Sequence, residues 1–300
     1  MAIVDRLQRW ISEPAPDHLF ELTETSLASV SPRAPSRQRS DVLVERALTP
    51  SPAAPNLLRP QLYNDALARA VPTLRRTAAA VVIPDYAVRM AMLDFEEFPA
   101  GEEERLALLR FRLRKTVPFH IDEAKLSYSV QVQQPQNVEA LVVAIARPIL
   151  EEYESIFTSA GYRVGLVTPS CLATLRLCTG TERGLTLLAK MAGSTLSVLL
   201  LDSGVVRLVR CLDLAGTEHS DSGEEQSVGP VLQQTVAYAE DQINQPVTRL
   251  LLCGFGGDTE NLGKFATREF GIPWSPVRSK FGTATQENAG LLGLLEQYAA

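Results

Sequence analysis

Three hundred residues, 45% hydrophobic and 21% charged, suffice for one large or two ordinary domains with packed cores. A formal net charge of −6 argues against a nucleic-acid partner, because phosphate backbones select basic faces. There is no run of eighteen apolar residues and no apolar stretch near the N-terminus followed by a small-residue cleavage site, so neither a membrane span nor a secretory leader is expected.

At the N-terminus Ile3, Val4, Leu7, Trp10 and Ile11 recur at helical spacing, until Pro14 and Pro16 end the pattern. Strands are predicted at 19–23, 26–30 and 42–47. Between the last two, Ser31-Pro-Arg-Ala-Pro-Ser-Arg-Gln-Arg-Ser40 carries too little apolar surface to order itself. It reads as an unstructured hairpin tip, with a basic anion-binding finger as the sharper alternative. A Pro-rich stretch at 49–60 leads to a helix at 61–70, then a strand at 77–83, a turn at Pro84-Asp85 and a strand at 86–95. Gly101 and Glu102-Glu103-Glu104 open a helix with carboxylates at the positive end of its dipole, and Pro118 stops it. Strands at 125–132 and 140–146 precede a helix with Pro148 in its first turn and Gly161 as its cap.

The second half is more regular. Apolar strands at 185–191, 195–201 and 205–212 are joined by tight turns, Ala192-Gly193-Ser194 and Asp202-Ser203-Gly204. An acidic loop at 216–229 leads to a helix at 230–243, a buried strand at 249–253, the turn Gly254-Phe255-Gly256-Gly257, a helix at 259–270 and a last helix at 287–298. Both halves thus begin with a three-strand meander followed by a helix and crossovers. That is the pattern of a duplicated ribonuclease H-like domain. The expected fold is α/β: two actin-like (ribonuclease H-like) domains flanking a cleft, with a small α+β insertion in the first. The first domain is expected at 1–175 plus 286–300, with the insertion at about 85–165, and the second at 176–285.

Other chemistries fail on inventory. Cys171, Cys178, Cys211 and Cys253 form no CxxC pair and lie far from His18, His120 and His219, so buried thiols are expected and no metal site. No Gly-x-Ser-x-Gly elbow occurs, and the adjacency of His219-Ser220-Asp221 in an acidic loop is not triad geometry.

Four stretches resemble the type IV pilus assembly family PilM, of the actin-like ATPase superfamily. They are Leu126-Ser-Tyr-Ser-Val130 after Thr116-Val-Pro-Phe119, the strand and helix of 141–161, the hairpin at 187–210 ending in Arg210, and Ala289-Gly-Leu-Leu-Gly-Leu-Leu295. The resemblance implies a cytoplasmic protein, peripheral to the inner membrane through its partners. It also implies a groove beside the insertion that takes the N-terminal cytoplasmic peptide of a PilN-like membrane protein. The walls expected for it are the strands at 77–95 and 125–132 and the helix at 102–117.

The same resemblance implies a nucleotide cleft built from two hairpins reading Asp-x-Gly-x-x-Thr/Ser, in which glycine lets backbone N–H groups reach phosphate. Here both are degenerate. The first reads Glu21-Leu22-Thr23-Glu24-Thr25-Ser26, and the second Lys190-Met191-Ala192-Gly193-Ser194-Thr195. Gly254, Gly256 and Gly257 resemble the family's adenosine-side turn, whose plainer explanation is a strand-to-helix connection. A pseudo-ATPase is therefore expected, with no resident ATP or magnesium, and with Glu21 or Glu24 paired to Lys190 across the cleft. The alternatives are an active actin-like ATPase or sugar-kinase-like enzyme, or the cytoplasmic part of a related type II secretion protein.

Overall fold

Two five-stranded sheets laid out to one plan frame the protein. The computed structural model describes residues 15–70, 77–178, 184–215 and 224–299. The helical pattern around Trp10 and the 219–221 stretch lie outside them.

The first sheet contains β1 (His18–Leu22), β2 (Ser26–Val30), β3 (Arg39–Val42), β4 (Thr77–Ile83) and β8 (Tyr162–Pro169), in the order β3-β2-β1-β4-β8. The second contains β9 (Leu185–Ala192), β10 (Thr195–Asp202), β11 (Val205–Asp213), β12 (Val247–Cys253) and β13 (Trp274–Pro276), in the order β11-β10-β9-β12-β13. In each, the opening three strands form an antiparallel meander and the remaining two run parallel. A third, antiparallel sheet, β5 (Arg89–Phe95), β7 (Asn137–Ile145) and β6 (Lys125–Gln134), is inserted between β4 and β8. The whole is the two-lobed actin-like fold.

Alternation along the strands decides what each face meets. On β1, Phe20 and Leu22 face outward to α1 (Pro60–Ala70) and α3 (Arg147–Ser159), which bury Tyr63 and Leu67, and Ile149, Tyr153, Ile156 and Phe157. Leu185, Leu187, Leu196 and Val198 likewise meet α5 (Glu224–Tyr238) and α6 (Thr259–Phe270). The inner faces of both sheets share a core with the short α4 (Ser170–Thr174) and the C-terminal α7 (Ala289–Tyr298). On the insertion, α2 (Glu102–Leu113) presses Leu109 and Leu113 onto the three-stranded sheet. Its acidic first turn and its Arg110 and Arg112 match the helix dipole.

Several expectations are corrected. The third strand is Arg39–Val42, not 42–47. The preceding Pro/Ser/Arg stretch is ordered by successive turns, Ala34 N to Ser31 O and Arg37 N to Ala34 O, both 2.9 Å. Two of its three arginines are engaged too: Arg33 pairs with Asp17 and Arg39 with Asp41. Pro230 lies inside α5 rather than at its start. Gly165 and Pro169 disguise β8, and α2 ends at Leu113.

Candidate functional site

The two inner hairpins have the same register. Glu21 pairs with Ala28 and Leu22 with Leu27; Lys190 pairs with Ser197 and Met191 with Leu196. The connecting segments, Thr23-Glu24-Thr25-Ser26 and Ala192-Gly193-Ser194-Thr195, are therefore of equal length. Glu21 and Lys190 occupy equivalent positions, and Glu24 is the counterpart of Gly193.

Strand alternation aims Glu21, Lys190 and Ser197 at the shared interior, where all three are buried. The carboxylate that meets Lys190 belongs to Asp85, in the single helical turn that follows β4. Lys190 Nζ lies 3.3 Å from Asp85 Oδ2, with side-chain exposures of 0% and 1%. Asp85 Oδ2 also accepts a hydrogen bond from Ser197 Oγ at 2.7 Å, and Oδ1 accepts one from the Cys171 N–H at 2.7 Å. Three elements drawn from both lobes, β9, β10 and α4, thus converge on one carboxylate.

Glu21 spends its oxygens elsewhere. Oε1 accepts from Ser170 Oγ at 2.5 Å, and Oε2 accepts from the Leu291 N–H at 2.7 Å, in the first turn of α7. A carboxylate there neutralises the positive end of the helix and satisfies an orphan N–H. The expected direct pair between Glu21 and Lys190 is thus replaced by Asp85–Lys190. Burial raises the Glu21 carboxyl above its usual range, against the pull of Lys190, Ser170 and the Leu291 N–H. For Lys190 burial acts to lower the ammonium, but Asp85 and then Glu21 outweigh it, and the net shift is upward. The cluster holds a charged lysine.

The hairpin tips meet. Glu24 does not reach Lys190 as a partner; it forms an ion pair with Arg46. A Cβ placed on Gly193 (φ 56°) would lie 2.6 Å from Glu24 Oε1, so glycine is what allows the carboxylate to rest there. The Gly193 N–H points at Gln286 Oε1, 3.4 Å away. In the first turn Thr23 Oγ1 and Ser26 Oγ hydrogen-bond each other at 2.7 Å, and Thr25 is exposed. In the second, Ala192 is half-buried and Thr195 buried.

The glycine turn divides by role. A side chain on Gly254 (φ 83°) would strike Met191 O at 2.0 Å, so this glycine lets β12 close on the second hairpin. Phe255 is buried in the outer core, whereas Gly256 and Gly257 are exposed with open space around them. Asp85, Ser197, Ser170, Arg46 and Gln286 were not among the residues read from sequence as forming the cleft. The available signal was a polar residue breaking an apolar strand, as Ser197 does in Leu196-Ser-Val-Leu-Leu-Leu201.

A second feature lies on the far side of β4. A cavity of about 360 Å³ opens between the inserted sheet, α3 and β8, lined by Val88, Ser127, Val143, Leu150, Leu166 and Val167 among others. Lys125 and Glu154 supply opposite charges in its wall. Strands 77–95 and 125–132 contribute to it together with α3 and β8, whereas α2 packs on the other face of the inserted sheet. The terminal position of β8 in its sheet places an edge strand along this groove.

No protein-family model matches the sequence, and no curated protein matches it. Among solved structures, the fold is similar to the PilM-PilN type IV pilus biogenesis complex, with a TM-score of 0.74, 18% identity, and 96% of this chain and 100% of that one covered. It is also similar to a Bacteroides thetaiotaomicron protein with an actin-like ATPase fold and unknown function, with a TM-score of 0.53, 11% identity, and 94% and 96% covered. Among the described residues no helix is long and apolar enough to cross a membrane.

Proposed function

We propose that this chain is a PilM-like scaffold of a type IV pilus, or related secretion, inner-membrane assembly complex, that works by contact without hydrolysing ATP. The neighbour that matches 96% of this chain is a PilM-PilN type IV pilus biogenesis complex. The observation that carries the reading is the groove between the inserted sheet, α3 and the edge strand β8. An extended peptide fits such a place, since an edge strand offers backbone hydrogen bonds and apolar pockets beside it select side chains. The N-terminal cytoplasmic segment of a PilN-like membrane protein is the expected occupant, which would hold the scaffold at the inner membrane.

The cleft residues argue against catalysis. A divalent cation entering between Glu21 and Asp85 would meet the Lys190 ammonium, and a phosphate approaching the Gly193 N–H would meet the Glu24 carboxylate. Each is a like-charge encounter in a partly desolvated site. The residues present do not fit magnesium-bound ATP. Fluorescence anisotropy with a labelled N-terminal peptide of the PilN-like protein encoded by the same genome tests the proposal. Saturable binding that is the same with and without Mg-ATP is expected; failure to bind, or binding that requires nucleotide, would overturn it.

A further inference from the structure

Resting on the reading that the cleft takes no nucleotide, we propose that the chain supplies the cleft's charges itself. Lys190 serves as a resident cation between the buried carboxylates of Asp85 and Glu21, and Glu24 serves as a resident anion at the tip of the opposite hairpin. The two lobes are held closed without any ligand.

The register of the hairpins is the first support. Equivalent positions of a duplicated motif bear Glu21 and Lys190, and both side chains enter the same buried space. Were a carboxylate at position 190 as at position 21, three acids would converge on that space with Asp85. Such a trio is a hard-oxygen donor set that needs a cation. The lysine ammonium supplies that positive charge from within the chain, and its contact to Asp85 crosses from one lobe to the other.

The second support is the tip. Glu24 lies over Gly193, the Gly193 N–H is directed to Gln286, and Glu24 Oε1 is buried with no hydrogen-bond partner of its own. An acid left in that state is tolerable only where its charge is answered, and Arg46 answers it. Arg46 and the Gly193 N–H, a guanidinium and a backbone donor, are the kind of pair that binds an oxyanion once Glu24 is gone.

Further contacts hold the lobes at the same closure. Gln38 Nε2 donates to Phe281 O at 2.8 Å, reaching from the first meander to the ribbon after β13. The insertion docks on β11 through Val206 N–H to Gln131 Oε1 at 2.8 Å and through Arg207 to Glu139 at 3.2 Å. These contacts let the charge cluster act on lobes already aligned.

Thermal unfolding of the full chain and two variants tests the proposal with simple ions as probes. Lys190→Asp is expected to melt well below the wild type and to recover by roughly 3 °C or more in millimolar Mg²⁺ or Ca²⁺, by ligand linkage. The wild type is expected to respond to neither ion. Glu24→Ala is expected to gain a comparable rise from inorganic phosphate or pyrophosphate that the wild type lacks. Lys190→Asp that folds but ignores divalent ions would overturn the cation half, and Glu24→Ala that ignores both anions would overturn the anion half. A wild type stabilised by these ions or by Mg-ATP would overturn the whole. Glu24 lies in a turn beside the exposed Thr25 and Gly193 and outside both sheets' cores, so its variant decides the anion half even if Lys190→Asp does not fold. Neither arm involves the peptide, so failure here leaves the groove reading to its own titration.

Discussion

Lys190 of the second lobe and Asp85 of the first form an ion pair of 3.3 Å with both side chains shut away from water. Burying two charges costs several kcal/mol each, so such a pair adds little net stability over an apolar contact, yet breaking it is expensive. Lys190→Met is expected to lower stability by about 3–5 kcal/mol, because it strands the Asp85 carboxylate. Lys190→Met combined with Asp85→Asn is expected to recover most of that loss, since an amide still accepts from the Cys171 N–H. Urea denaturation of both variants and the Asp85→Asn single substitution measures the coupling. A double variant as unstable as the sum of its parts would contradict it.

Glu21 makes stability depend on pH. Burial raises its carboxyl above the usual 4.5, so the folded chain holds that proton more tightly than the unfolded chain does. The contribution is complete below pH 4.5 and is lost as pH rises through the folded value. Glu21→Gln has no such ionisation. Relative to the wild type, it should gain stability progressively as the pH is raised from 4.5. Urea midpoints from acid to neutral pH check the sign, and a gap that is constant or narrows the other way refutes it.

Two glycines separate crowding from openness. A Cβ on Gly293 of α7 would sit 2.0 Å from Ala173 O, whereas one on Gly257 would meet nothing within 4 Å. Gly293→Ala must push α7 off α4 and is expected to cost about 1–3 kcal/mol. Gly257→Ala should stay within roughly 0.5 kcal/mol of the wild type. Differential scanning calorimetry orders the pair.

The groove assignment is tested by two apolar side chains on different helices. Leu150 of α3 lines the cavity, while Phe111 of α2 is 69% exposed on the inserted lobe's other side. Leu150→Asp is expected to weaken peptide binding at least tenfold, about 1.4 kcal/mol, read at a temperature where the variant is folded because Leu150 also packs on the outer core. Phe111→Ser should leave affinity unchanged. The opposite ranking would return the binding wall to α2.

Much of this was legible in the chain. The run Leu185–Ala192, Thr195–Asp202 reads clearly, because central strands buried on both faces are nearly continuous apolar runs broken only by turn residues, and Val205–Asp213 follows it as a half-buried edge strand after the turn at Ser203-Gly204. The helix Thr259–Phe270 ends where Gly271 takes a left-handed conformation at φ 68°, a signal written in one residue. The third strand misled for the opposite reason. Val42 and Val44 look like strand interior but are 78% and 88% exposed, while the polar Arg39-Ser40-Asp41 is held by pairing with β2. At the cleft, Lys190 could be singled out because an acid was expected there. Its partner could not: Asp85 lies 105 positions away, behind a proline in what sequence alone reads as a turn. Partnerships of that kind belong to tertiary packing, and local pattern carries no trace of them.

The return of α7 to the first sheet has a mechanical corollary. The backbone passes from one half of the molecule to the other twice, between Leu177 and Leu185 and again between Pro276 and Ala289. The described ends of both passages pack on α7, since the turn Leu175–Leu177 and the short strand Arg278–Ser279 contact it, near where Gly293 abuts Ala173. A body tied at two points can swing only about the line joining them, as a door does on its hinges. Any opening would therefore be a rotation with its pivot beside Ala173, and the parts farthest from that axis would travel most.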